Sequence, residues 1–211
     1  VRQNLLDPRR LILKRGMDLL LSFVGGLLIL PFFLIIGLAI KLETPGPVFF
    51  RQSRIGRDGQ TIRILKFRTM VRNAEEVLEK YLAANPGLRK EWEEDQKLRH
   101  DPRITRIGTL LRRTSLDELP QLWNVLIGQM SLVGPRPIVE DEIIRYGSAF
   151  NAYKRVRPGM TGLWQVSGRN DLSYKQRVHL DRFYISNWST WLDLLILART
   201  LPVVLGRKGA Y

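Results

Sequence analysis

The sequence has no cysteine among its 211 residues. That excludes a disulfide scaffold, a thiolate nucleophile, and any zinc or iron–sulfur centre ligated by cysteine. Only two histidines occur, His100 and His179, far apart in the chain, so a histidine-rich metal site has no material. No run of five or six like charges appears, which argues against a disordered basic arm. The Walker A loop, Gly-x-Gly-x-x-Gly, Gly-x-Ser-x-Gly and His-Glu-x-x-His are all missing. No internal repeat or low-complexity stretch is visible.

What is present is charge of one sign. Thirty-four Lys and Arg stand against 20 Asp and Glu, for a net charge of +14. Such a balance calls for an anionic partner: nucleic acid, anionic lipid or a phosphorylated substrate. The excess is not confined to a tail. Residues 1–72 carry net +9, residues 73–100 net −2, and residues 101–211 net +7. Hydrophobic content of 45% and a mean hydropathy of −0.13 exclude both a disordered chain and a polytopic membrane protein. The length allows one domain with an appendage, large enough to fold without staples. The first residue is Val1, not Met, which suggests a piece of a longer chain.

Leu19 to Ile40 is a 22-residue stretch without charge. It meets the length criterion for crossing a bilayer and lacks the short apolar region and cleavage site of a signal peptide. Pro31 falls just past its middle, removes a backbone hydrogen bond and predicts a kink. Both flanks are basic: Arg9, Arg10, Lys14 and Arg15 precede it, and Lys41, Arg51, Arg54 and Arg57 follow. The positive-inside bias cannot orient a single span with such flanks. A helix that breaks at Pro31 and re-enters keeps both ends on the cytoplasmic face, although Pro is also tolerated in a simple span.

The remainder reads as α+β, mostly helical. Residues 1–43 form the membrane-inserted segment and 44–211 a catalytic domain at the cytosolic face. Val48–Gln52 and Thr61–Arg68 are expected strands joined by a turn at Arg57–Gln60. Asn73–His100 reads as two solvated helices broken at Asn85-Pro86-Gly87. Further helices are expected over Ile104–Arg113, Leu116–Ile127, Val139–Tyr146, Ser173–Asn187 and Trp191–Leu205, with a glycine-rich loop over Pro158–Gly168. Trp188 and Trp191, at the start of the last helix, suit a membrane interface; an ordinary core helix fits that segment equally well.

Chemistry must therefore come from carboxylates and arginines. Asp117 and Glu118 follow Ser115, which could form a capping box with Glu118. The same carboxylates, beside Arg112 and Arg113, would be held ionised where phosphates bind helix N-termini. In Gly134-Pro135-Arg136-Pro137, two prolines stiffen the backbone around one guanidinium, as a phosphate clamp requires; a turn with a solvent-facing Arg fits the same residues. Lys66 and Arg68 alternate at a strand end and should share a face. The segment Arg157–Asn170, with three glycines, an aromatic and polar Gln165, Ser167 and Asn170, suits a loop around a nucleotide or sugar.

Five segments in this order resemble one family. They are the apolar helix, Lys66-Phe67-Arg68-Thr69-Met70, Ser115-Leu116-Asp117-Glu118-Leu119-Pro120-Gln121, Ser131–Pro137 and Pro158–Arg169. The sequence resembles the bacterial sugar transferases, also called monotopic phosphoglycosyl transferases or polyprenyl-phosphate hexose-1-phosphate transferases. The likeness runs from about Lys14 to Tyr211 and includes the ending Arg207-Lys208-Gly209-Ala210-Tyr211. Larger relatives add N-terminal membrane helices and a soluble domain. One departure is Leu30, where small members carry Ser before the membrane Pro.

The resemblance implies transfer of a sugar-1-phosphate from a UDP-sugar to undecaprenyl phosphate, with release of UMP. Galactose is the favoured hexose and glucose the next, in surface polysaccharide or O-antigen synthesis. It implies Asp117 as the nucleophile of a covalent phosphosugar intermediate and Glu118 as a ligand of Mg²⁺. Lys66, Arg68, Arg112, Arg136, Gln165 and Arg169 are then the expected substrate-binding residues. The implied location is the cytoplasmic face of the bacterial inner membrane, in contact with lipid and without nucleic acid, with a homo-oligomer possible. The competing expectation is a non-enzymatic, membrane-anchored polyanion binder, motivated by the +14 charge alone.

Overall fold

The computed structural model describes residues 4–95, 98 and 100–205. Helix α1 runs from Pro8 to Glu43. Asp7 caps it by accepting the Arg9 N–H at 2.9 Å, with Pro8 in the first turn where its missing donor costs nothing. Thr44 and Pro45 end it, because Pro45 cannot continue a helix. The expected break at Pro31 is not an interruption of the helix. The helical run continues through it, since one proline removes a single ladder bond and the surrounding turns hold. Leu20, Phe23, Leu27, Leu28, Phe32, Leu34 and Ile35 all point outward and are exposed. Among the described residues this is the one helix long and apolar enough to cross a membrane.

Both flanks of that helix dock on the same body. On the N-terminal side Lys14 donates to Asp193 at 2.7 Å, and Arg15 donates to the carbonyls of Val125 and Leu126. Asp18 accepts from Ser131 Oγ and the Leu132 N–H, both at 3.0 Å. On the C-terminal side Ile40 packs with Phe67 and Leu111. Glu43 accepts from the N–H groups of Arg106 and Ile107, at the N-terminus of the helix they begin. The exposed middle of α1 is thus held at both ends by one domain.

Strands β1 (Phe49–Ile55) and β2 (Thr61–Phe67) form the antiparallel hairpin that alternation predicts, with Phe50 opposite Lys66 and Arg54 opposite Ile62. Helices α2 (Ala74–Ala84) and α3 (Pro86–Asp95) follow, then α4 (Arg106–Arg113) and α5 (Gln121–Leu126). The expected helix over Leu116–Ile127 divides in two: a 3-10 turn at Leu116–Glu118, then α5 with Pro120 at its N-cap. Ser131–Val133 (β3) pairs in parallel with Gly159–Thr161 (β4) across short helices α6 (Ile143–Tyr146) and α7 (Phe150–Tyr153). Hence part of the expected glycine-rich loop is strand. Helices α8 (Tyr174–Asn187) and α9 (Thr190–Leu205) close the chain. The ending from Arg207 to Tyr211 lies outside the described residues.

Val125 and Met130 pack beneath Ile62 and Ile64, fixing α5 against one face of the hairpin. Asn124 reinforces this by accepting the Leu65 N–H and donating to the Arg63 carbonyl, both at 2.9 Å. A second core joins Val133, Tyr184, Ile185, Trp188 and Ile196. Trp188, 2% exposed, belongs to that core and donates to Asp193, so it does not meet a membrane interface. Trp191, 74% exposed, does face outward.

Candidate active site

The site is built where α4 gives way to the 3-10 turn. Thr105 caps α4 through the Gly108 N–H at 2.9 Å, and its own N–H donates to Thr69 O at 3.1 Å. Gly108 rests so closely on the Thr69 backbone that a Cβ there would overlap the carbonyl. This close approach brings Arg112, one turn on, to Thr69, where Nε donates to Oγ1 at 2.9 Å. The motif at the end of β2 and the arginine before Asp117 therefore form one unit.

Ser115 then takes φ 55° and ψ 17°, the left-handed conformation that costs a non-glycine residue about 1–2 kcal/mol. Its N–H donates to Arg112 O and its carbonyl accepts the Glu118 N–H, both at 3.2 Å. The capping box does not form, because this backbone leaves the Ser115 side chain without a cap bond. The turn swings Asp117 and Glu118 out of line with α4 and toward the hairpin. There Lys66 Nζ donates to Glu118 Oε1 at 2.8 Å.

Electrostatics at Asp117 differ from the sequence expectation. Its pKa is raised from 3.8 to about 6. Burial is the main cause and the adjacent Glu118 charge adds to it; Lys66 and Arg112 oppose both without cancelling them. Nearby cations alone do not hold this carboxylate fully ionised.

The other expected residues are distributed unequally. Arg68 is 8% exposed, and its guanidinium donates to Thr44 O at 2.7 Å, Thr44 Oγ1 at 2.9 Å and Pro45 O at 2.8 Å. It fixes the exit of α1 and does not join Lys66 at Glu118, because the chain reversal after α1 offers these carbonyls directly behind the strand end. Arg136 is exposed on the loop after β3, with its guanidinium 6.0 Å from the Trp164 ring centroid. Gln165 sits in the 3-10 turn Trp164–Val166 with its Oε1 buried and unpartnered, close to Gly162. Arg169, at φ 47°, opens the next turn. The glycine-rich segment buttresses the Arg136 loop. Gly134 donates to Thr161 O at 2.9 Å, Gly159 donates to Pro135 O at 2.8 Å, and the facing glycines leave no room for a Cβ.

Among the described residues no group of three or more acidic or histidine side chains could cage a metal. Two adjacent carboxylates, one already bonded to Lys66, fit a hard cation that takes its remaining ligands from a phosphorylated substrate and water. Arg54 was legible in the sequence only as a basic flank of the apolar helix. It stands on β1 within electrostatic reach of both Glu118 and Arg136.

Fold and site together define a membrane-associated α+β protein with a half-buried carboxylate pair in a cationic setting. The chain belongs to the bacterial sugar transferase family, which it matches over residues 9–207. It is 51% identical over 211 residues to the UDP-galactose-lipid carrier transferase of Erwinia amylovora, an alignment covering all of this chain and 44% of that protein. It is 50% identical over 198 residues to the exopolysaccharide production protein ExoY of Rhizobium meliloti strain 1021, covering 94% of this chain and 88% of that one. With the UDP-glucose:undecaprenyl-phosphate glucose-1-phosphate transferase of Escherichia coli K12 it shares 41% identity over 208 residues, 95% of this chain and 42% of that protein. The chain thus spans less than half the length of two of these relatives.

Proposed function

We propose that this chain carries the catalytic domain of a transferase that moves a hexose-1-phosphate from a UDP-hexose to undecaprenyl phosphate. The observation that carries this reading is the Asp117–Glu118 pair, set by a left-handed Ser115 between Lys66 and Arg112. An ionised Asp117 oxygen attacks the phosphorus bearing the sugar, and the bond to the second phosphate breaks with the electron pair leaving on UMP. The phosphate oxygen of undecaprenyl phosphate then attacks the same phosphorus, freeing Asp117 and giving the lipid diphosphate sugar. Splitting the transfer in two spares the site from holding both anionic substrates at once. Arg112, anchored on Thr69, opposes the charge that builds on the attacked phosphate. Lys66 orients Glu118, which together with Asp117 would hold Mg²⁺. That ion would supply Lewis-acid neutralisation of the diphosphate when bound.

The names of relatives support galactose first and glucose next as the hexose, and surface polysaccharide synthesis as the setting. Docking of both α1 flanks on one domain supports a monotopic arrangement. In it, the apolar stretch 19–40 sinks into the cytoplasmic leaflet and both flanks stay on the cytoplasmic side. Chemistry is tested by UMP release across a panel of UDP-hexoses, with undecaprenyl phosphate and Mg²⁺ each omitted in turn. The reading predicts release dependent on both and abolished by Asp117→Asn. Wild-type turnover in that variant sinks the nucleophile assignment. Topology is tested on the cysteine-free background with Arg10→Cys and Lys41→Cys and a membrane-impermeant thiol reagent. Both sites should label only after the inner membrane is opened; labelling of either one from outside overturns the monotopic reading.

A further inference from the structure

One backbone bond and one tyrosine clamp bring two arginines to the same junction. The Ile55 N–H donates to Ile138 O at 2.8 Å, joining the end of β1 to the loop after Pro137. Tyr153, buried to 1% exposure, clamps that junction: its hydroxyl donates to Ile55 O at 2.8 Å and accepts the Ile138 N–H at 3.3 Å. Arg54 precedes Ile55 by one residue and Arg136 precedes Ile138 by two. Alternation sets Arg54 on the same face of the hairpin as Lys66, the face that α5 and the 3-10 turn cover. Arg136 is held from behind by the face of Trp164, which Arg177 also approaches at 4.9 Å. Trp164 itself is buried and so serves as a platform for the arginine, not as a stacking surface for a ligand.

Neither Arg54 nor Arg136 has a carboxylate at ion-pair distance among the described residues. Two nearby carboxyl groups are engaged elsewhere: Glu142 accepts the Val139 N–H at 3.0 Å, and Asp181 accepts the Tyr146 hydroxyl at 2.7 Å and the Arg136 backbone N–H, with burial raising its pKa to about 8. Burial and then the Arg136 charge lower the pKa of Arg54, while Glu142, Tyr153 and Glu118 raise it. Two guanidiniums held at one rigid backbone junction, neither of them in an ion pair among the described residues, repel each other unless an anion arrives.

We infer that Arg54 and Arg136 together form a two-pronged oxyanion site for a phosphate group of the substrate, at the opposite end of the hairpin face from Lys66. Arg54 is the new member, and the assignment rests on the phosphoglycosyl transfer proposed above. The phosphate is either the nucleotide-side phosphate of the donor, which leaves with UMP, or the phosphate of the lipid acceptor. A guanidinium pair offers parallel N–H donors to either.

The test uses the purified chain in detergent with inorganic pyrophosphate as probe, followed by calorimetry. Arg54→Gln and Arg136→Gln should each weaken pyrophosphate binding about tenfold. Arg63→Gln, on the opposite face of the hairpin, should leave it within about twofold. Should Arg54→Gln not fold, Arg54→Lys keeps the charge, loses the fork and should give an intermediate loss. Steady-state kinetics then separate the sources. A raised KM for the UDP-hexose alone assigns the donor phosphate; a raised KM for undecaprenyl phosphate alone assigns the acceptor. Pyrophosphate affinity unchanged in both glutamine variants overturns the site. If the wild-type chain releases no UMP with any hexose, the functional reading fails by itself, and the pyrophosphate measurement still decides the oxyanion site.

Discussion

Asp117→Asn should inactivate the protein and stabilise it. A raised carboxylate pKa means that the folded state holds the proton more tightly than the unfolded state does. Across the interval between the two pKa values, stability therefore falls as pH rises, and it stays lower above the folded value. For Asp117 the interval runs from 3.8 to about 6. The full difference corresponds to about 3 kcal/mol, and partial exposure of the carboxylate reduces that to about 2 kcal/mol. Asparagine has the same shape and carries no charge, so the penalty disappears in the variant. Its apparent unfolding midpoint at pH 7.5 should exceed the wild type by about 4–8 °C for a chain of this size. At pH 4 the two midpoints should converge, because Asp117 is then protonated in the wild type as well. The assay is thermal unfolding in one detergent, followed by tryptophan fluorescence at several pH values without substrate. A variant that is less stable at pH 7.5, or whose advantage is equal at pH 4, refutes the reasoning.

Activity should rise through an acidic limb near pH 6 as Asp117 ionises. Lys66→Met removes a cation that lowers this pKa and should move the limb to higher pH, whereas Glu118→Gln removes an adjacent anion and should move it lower. Residual turnover against pH reads both shifts, and identical limbs in the two variants would contradict the assignment. Ser115→Gly relieves a left-handed backbone and should keep activity while gaining about 0.5–1 kcal/mol in stability. Ser115→Val should lose kcat with little change in KM and cost about 1–2 kcal/mol, as a β-branched residue resists that conformation; urea unfolding and steady-state kinetics check both. Arg68→Ala strands the carbonyls of Thr44 and Pro45 and should cost about 2–3 kcal/mol. Its midpoint in urea measures that loss, and an unchanged midpoint would remove Arg68 from the docking of α1.

Periodic features were legible in the sequence, and features set by a single backbone angle were not. The apolar helix, the hairpin, and helices α8 and α9 follow from run length and alternation, which depend on many residues at once. The division of Leu116–Ile127 depends on one left-handed residue, and the Ser115–Glu118 spacing suggested a capping box in its place. Strands β3 and β4 have three residues each, too few for a period to register. Arg68 and Lys66 look equivalent in sequence. Their roles separate only because the carbonyls at the end of α1 fold back onto one of them. Arg54 carried no signal beyond its charge, since its meaning arises from a backbone bond between residues 83 positions apart, Ile55 and Ile138.

The raised pKa of Asp117 also explains why the basic excess surrounds the site without saturating it. A carboxylate paired tightly to arginine would be ionised at every physiological pH, but its lone pairs would be occupied and its attack on an anionic phosphate slowed. Here Lys66 bonds to Glu118 and Arg112 bonds to Thr69, so the nearest cations are committed to neighbours. They act on Asp117 through space and leave its oxygens open. Ionisation near pH 6 would keep most molecules charged at neutral pH while retaining a more basic carboxylate, as the nucleophile proposed for this position requires. Burial supplies that basicity and the two cations moderate it, so the instability at this position and the reactivity proposed for it have the same physical source.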